Sequence, residues 1–213
     1  KFRHVFADPD KKDARFTDLD LAPHSGDHYF ISASPRFFAV SIRGGGGKVL
    51  VQPLDKPGKM SRDAHMVQGH KGKVYDTQFS PFNDNLLATA SADTTVKLWT
   101  IPDGGLEGPM DEATATLDGH GKDALLVQFH PTANNVLATS SRDMLVKIWD
   151  VEKCADKLTL PAFPSLVSDI RWNSNGSLLG TTCKDKKARI FDPRSGAVTS
   201  EFEPHEGAKI VNS

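Results

Sequence analysis

Only two of the 213 residues are cysteine, Cys154 and Cys183. Two thiols cannot staple a chain of this length, and neither stands in a C-x-x-C or zinc-ligand spacing, so a disulfide framework is excluded and a reducing, cytoplasmic compartment is expected. No apolar run approaches the roughly 18 residues that a membrane helix needs, and the opening KFRHVF is basic rather than a secretory leader, so neither secretion nor a membrane span is expected. An excess of charge is missing as well. Lys and Arg (26) nearly cancel Asp and Glu (27), and with a pI near 6.8 no bulk field draws in nucleic acid or an anionic membrane. No H-x-x-x-H or H-E-x-x-H pairs two ligands on a helix face, so no metal or cofactor is expected. The four glycines before Lys48 are followed by Val49, where a phosphate cradle needs Ser or Thr, and read as a hairpin instead.

What is present is a repeat. Residues 69–99, GHKGKVYDTQFSPFNDNLLATASADTTVKLW, and residues 119–149, GHGKDALLVQFHPTANNVLATSSRDMLVKIW, keep Gly-His, Asp and Trp in register with an offset of 50 positions. Each copy divides into apolar, partly alternating runs of strand length separated by turn formers, which is a meander and not a helix pair. The Pro-Asp-Gly-Gly turn after Trp99 and the run ATATL supply a fourth strand, and four antiparallel strands make a propeller blade. A degenerate copy at 167–192 lacks the Gly-His but keeps Asp185 six residues before Phe191. A more divergent one occupies 28–54, with Gly44 to Gly47 at its turn between the second and third strands. Asn175-Gly176-Ser177 fits a glycosylation sequon, and its Asn-Gly reads better as a hairpin turn. The expected fold is all-β, a WD-repeat β-propeller, with 1–26 an N-terminal strand and lead-in, blades at 27–66, 67–116, 117–160 and 161–203, and the start of a fifth at 204–213.

In a WD blade the His, a hydroxyl on the second strand, the turn Asp and the Trp form a hydrogen-bonded chain that satisfies buried polar groups. Counting back four residues from each turn Asp gives Thr89, Thr139 and Thr181. The complete networks are His70, Thr89, Asp93, Trp99 and His120, Thr139, Asp143, Trp149, with Thr181 and Asp185 as the remnant of a third. Histidine, aspartate and a hydroxyl also invite a catalytic-triad reading, but a triad occurs once per site and does not recur every 50 residues. No enzyme is expected. The basic run Lys184, Lys186, Lys187 and Arg189 reads as a solvated turn, and LTLPAFPSLV at 158–167 as the end of the third blade leading into the fourth rather than an exposed patch.

Several peptides outside the generic repeat resemble the coronin family: the opening Lys1-Phe2-Arg3-His4-Val5-Phe6, Ile101-Pro102-Asp103-Gly104-Gly105-Leu106, Asp185-Lys186-Lys187, Asp192-Pro193-Arg194 and Pro204-His205-Glu206-Gly207. The resemblance implies a seven-bladed propeller closed by a strand like Phe2–Phe6, of which this chain holds about four blades and the start of a fifth as part of a longer protein. It also implies binding to actin filaments in the cytoplasmic actin cytoskeleton, action on the branched-actin nucleating complex and cofilin, and oligomerisation through a C-terminal coiled coil beyond this chain. Many coronins carry a basic residue at the position of Asp20, so the acidic stretch Phe16 to Leu21 departs from the family, and Lys11, Lys12, Arg15, Arg36, Arg43 and Lys48 are the candidate actin contacts. The alternative is a WD-repeat protein–protein interaction scaffold that does not touch actin.

Overall fold

The structure, a computed structural model, describes residues 11–21, 29–43, 46–60 and 65–204, without the side chain of Lys12. The opening peptide, Gly44, Gly45 and the segment from His205 onward lie outside the described residues.

A short 3-10 helix (Lys12–Ala14) leads into β1 (Phe16–Thr17), which pairs in parallel with β5 (Gly58–Lys59). Four four-stranded antiparallel sheets follow. The first holds β2 (Ile31–Ala33), β3 (Phe37–Ser41), β4 (Val49–Pro53) and β6 (Met66–Val67). The second holds β7 (Val74–Phe79), β8 (Leu86–Ser91), β9 (Val96–Thr100) and β10 (Ala115–Leu117). The third runs through β11 (Ala124–Phe129), β12 (Val136–Ser141), β13 (Val146–Asp150) and β14 (Ala155–Thr159), and the fourth through β15 (Val167–Trp172), β16 (Leu179–Cys183), β17 (Ala188–Phe191) and β18 (Val198–Phe202). Each is a meander of strands a, b, c and d, the form of a propeller blade.

Stacking face to face explains the apolar pattern. A blade between two others buries both faces, so its inner strands read as nearly continuous apolar runs, while the d strands of blades 3 and 4, β14 and β18, are mostly exposed. One core joins blades 1 and 2 through Phe37, Val51, Phe79, Leu87 and Trp99. A second joins blades 2 and 3 through Leu98, Leu117, Leu137 and Trp149. In the third, Leu126, Leu160 and Phe163 meet Ile170, Leu179 and Phe191, so the Pro-rich 158–167 segment is interior packing between blades 3 and 4.

Alternation along β3 sends Phe37 and Ala39 toward blade 2 and Phe38 and Val40 the other way. That outward side of blade 1 is covered by Phe16, Leu19 and Met60, with the Phe16 and Phe38 rings edge to face at 4.7 Å. The lead-in segment therefore buries a face that would otherwise stand open.

Candidate functional site

The turns between strands b and c organise the polar site. Asp93 Oδ1 accepts the N–H of Thr95 at 3.1 Å, Asp143 that of Leu145 at 3.0 Å, and Asp185 that of Lys187 at 3.1 Å. Each is an Asx turn, which requires a short carboxylate at that position. The residue after each Asp is left-handed, at φ 73° for Thr94, 66° for Met144 and 70° for Lys186. The aspartate thus shapes the turn with one oxygen and has the other free for further work.

In blades 2 and 3 that second oxygen receives the loop before strand a. Asp93 Oδ2 takes the Lys71 N–H and His70 Nδ1, both at 2.9 Å, and Asp143 Oδ2 takes the Gly121 N–H and His120 Nδ1, both at 2.9 Å. On the far side of each imidazole, Nε2 lies 2.7 Å from Thr89 or Thr139 Oγ1. The indole N–H of Trp99 donates to Thr89 Oγ1 at 2.9 Å, and that of Trp149 to Thr139 Oγ1 at 2.8 Å. Proton order follows from the donors available: indole N–H to threonine oxygen, threonine O–H to Nε2, and Nδ1–H to carboxylate. A neutral imidazole satisfies every member.

Electrostatics agree with that order. Burial holds the His120 imidazolium below its ordinary pKa, against the pull of Asp143. Burial also pushes Asp93 and Asp143 upward, but the bonds from His70 and Thr95 to one, and from Gly121 and His120 to the other, outweigh it and leave both carboxyls depressed. The threonines are 0% exposed, so no substrate reaches a hydroxyl that would have to act as nucleophile. These chains are buried struts. Ser91 and Ser141, one turn away, tie the same loops by donating to the Gly72 and Lys122 carbonyls at 3.1 Å.

Blade 4 places Thr181 and Asp185 apart. With no histidine before strand a and Phe191 in place of the strand c indole, Thr181 donates only to the Arg189 carbonyl at 3.4 Å, while Asp185 pairs with the Arg189 guanidinium, which also bonds Glu201 at 2.7 Å. The turn function of the aspartate persists and its partner changes. Lys187 likewise pairs with Glu201, leaving Lys184 and Lys186 exposed.

Several inter-blade groups were not singled out in the sequence. Asp76 is buried and accepts the Thr77 and Val127 N–H groups, both at 2.8 Å, and burial drives its carboxyl well above the ordinary range. Gln78 accepts the Phe129 N–H in the same way. Tyr29 of blade 1 reaches Asp169 of blade 4 at 3.4 Å, and Arg171 lies over the Tyr29 ring at 4.5 Å. The signal available was the recurrence of Asp76 at Asp169 and of Gln78 at Gln128.

The candidate basic contacts do not form one patch. Arg36 and Arg43 stand at opposite ends of β3, about 20 Å apart along the strand. Arg36 is held across to blade 2 by Asp103 at 2.6 Å and Asn85 at 3.1 Å. Arg43 faces Asp20 at 3.6 Å, beside the Lys59–Asp18 pair at 3.1 Å, and Lys48 lines the same cleft. Lys11 is exposed next to the 3-10 helix, Arg15 anchors β5 by accepting the Gly58 N–H, and Lys12 has no described side chain.

Four-stranded meanders with repeated His-Thr-Trp struts define a WD-repeat propeller, and comparison with known proteins agrees. Residues 62–100, 111–150 and 155–192 match the WD domain, G-beta repeat, and residues 1–59 match a domain of unknown function (DUF1899). The chain belongs to the WD-repeat family. Its order of parts, that domain followed by WD repeats, is the N-terminal arrangement of coronins. Its fold is similar to the crystal structure of the WD40 domain of Toxoplasma gondii coronin, at a TM-score of 0.87 and 31% identity over 92% of this chain and 50% of that one. The chain spans about half the length of that relative.

Proposed function

We propose that this WD-repeat scaffold is the propeller segment of an actin-filament-binding protein that organises the actin cytoskeleton. The observation that carries the reading is the coronin arrangement, with its likeness to the Toxoplasma gondii coronin domain. Filament binding follows from what the coronin resemblance implies, and the branched-actin nucleating complex, cofilin and a C-terminal coiled coil belong to the same proposal. On this reading the chain works in the cytoplasm as a scaffold and catalyses nothing, in keeping with the sealed threonine hydroxyls.

The acidic lead-in bears on the filament contact. Asp18 and Asp20 are paired with Lys59 and Arg43, so the carboxylates face an acidic filament already partly neutralised. The same two carboxylates favour the second reading, a scaffold for protein partners other than actin. Cosedimentation of the full-length parent with filaments at two salt concentrations, beside a version with Lys11, Lys12 and Arg15 reversed to Glu, tests the first. Salt-sensitive binding by the parent upholds it, and loss on reversal places the contact at the lead-in. An unmutated parent that stays in the supernatant at low salt overturns it.

A further inference from the structure

The turn joining strands a and b of blade 4 holds a reactive pair of residues at a structural seam. Asn175 precedes Gly176, and no other asparagine of the chain precedes a glycine. The backbone nitrogen of the following residue can attack an asparagine side chain only where that residue leaves room, and glycine, with no Cβ, leaves the most. Asn175 is exposed, and its Nδ2 has no partner among the described residues, so ammonia formed from it escapes into water. Its Oδ1 accepts the Ser177 N–H at 2.9 Å. That donor polarises Cγ and faces the negative charge that develops on Oδ1 when the carbon is attacked, as an oxyanion-hole donor does. The same turn fastens blade 4 to blade 3. His130 donates from Nε2 to the Gly176 carbonyl at 2.9 Å, its Nδ1 being taken by the Thr132 and Ala133 N–H groups at 3.2 and 2.8 Å, and Thr132 Oγ1 donates to the Asn175 carbonyl at 2.9 Å.

Independently of the actin reading, we infer that Asn175 is a site of spontaneous deamidation, and that its isoaspartate product opens the seam between blades 3 and 4. The Gly176 nitrogen gives up its bond to the Asn173 carbonyl, loses its proton to hydroxide and bonds Asn175 Cγ. The Cγ–Nδ2 bond then breaks, Nδ2 takes a proton from water and leaves as ammonia, and a cyclic succinimide remains. Water opens the ring at either carbonyl. Nothing is oxidised or reduced, and the sum exchanges water for ammonia. Cleavage between Cγ and the Gly176 nitrogen gives aspartate, which keeps an Oδ1 for the Ser177 N–H and so keeps the turn. Cleavage at the other carbonyl gives isoaspartate, whose main chain runs through Cβ and Cγ and is longer by one C–C bond, about 1.5 Å. The carbonyl that held Thr132 becomes a carboxylate off the main chain. At 2.9 Å the His130 bond to Gly176 has only a few tenths of an ångström to give before it is lost. The His130 ring also fills the space where a Gly176 Cβ would stand, so the lengthened turn cannot fold inward.

The test incubates the folded full-length parent at mildly alkaline pH and follows the deamidation mass shift by peptide mass spectrometry. Asn175 is expected to convert at least about tenfold faster than the other described asparagines, none of which has glycine after it. Hydrogen exchange then reads the seam on its other side, in the blade 3 loop 130–135. The isoaspartate form, separated by chromatography, should exchange that loop about tenfold or more faster than fresh protein, because the loop has lost its hold on blade 4. Asn175→Asp should change it by less than about twofold, since the turn survives. Asn175→Ser, whose hydroxyl serves the same turn but cannot cyclise, should show neither the mass shift nor faster exchange after the same incubation. A folded chain in which Asn175 converts no faster than the other asparagines overturns the site. Isoaspartate with unchanged exchange at 130–135, or equally fast exchange in Asn175→Asp, overturns its effect on the seam.

Discussion

Replacing Thr139 by valine isolates the strut from everything else in blade 3. The two side chains have nearly the same shape, Thr139 is 0% exposed, and its neighbours pack as before, so no cavity opens. What is lost is one oxygen that accepts from Trp149 Nε1 at 2.8 Å and lies 2.7 Å from His120 Nε2. Both partners are stranded in a dry interior, since the Trp149 residue is 1% exposed and the His120 side chain 1%. Each of the two unsatisfied groups costs about 1 to 3 kcal/mol, and the added methyl returns about 0.8, so the expected loss is about 1 to 5 kcal/mol. Thr139→Ser keeps the oxygen and costs only about 1 kcal/mol for the methyl. In blade 4 the same change is nearly silent: Thr181 has one long bond to a carbonyl, and Thr181→Val costs less than about 1 kcal/mol. Urea unfolding reads all three, because a loss of this size moves the midpoint by about 1 to 3 M at unchanged slope. The reasoning is refuted if Thr139→Val lies within about 0.5 kcal/mol of the parent, or if Thr181→Val costs as much as Thr139→Val.

Two further outcomes are expected. Folding lowers the His120 pKa from its ordinary 6.5, so just below that pH the unfolded chain binds a proton that the folded chain refuses, and the stability this histidine contributes is lost as pH falls through that window. The advantage of the parent over His120→Gln in thermal unfolding should therefore narrow from pH 7 to pH 5, and a constant difference would contradict the neutral strut. Gly176 sits at φ 72° in the β15–β16 turn, and a Cβ there would collide with the His130 ring, which holds the Gly176 carbonyl at 2.9 Å and packs on Trp172 at 4.6 Å between centroids. Gly176→Ala should cost about 1 to 3 kcal/mol and shift Trp172 fluorescence, and unchanged stability would show that blades 3 and 4 do not depend on that contact.

The repeat was legible because a strut is written at fixed spacings within one blade: His70, Thr89, Asp93 and Trp99 fall on strands and turns whose lengths the meander itself sets. The offset of 50 to His120, Thr139, Asp143 and Trp149 then made the fold class readable without any contact information. The partner of Asp185 was not legible, because Asp185 keeps the repeat position and its Asx turn while its second oxygen turns to Arg189, a choice made by which side chains stand nearby in space. Nothing along the chain links Asp76 to Val127 or Tyr29 to Asp169, since these bonds exist only where blades stack. Charge shows the same division. The sequence counts 26 cations against 27 anions and reports near neutrality. Tertiary structure sorts them, because alternating strand direction sends b–c turns to one end and a–b loops to the other, and the struts withdraw the carboxylates from only one of those ends.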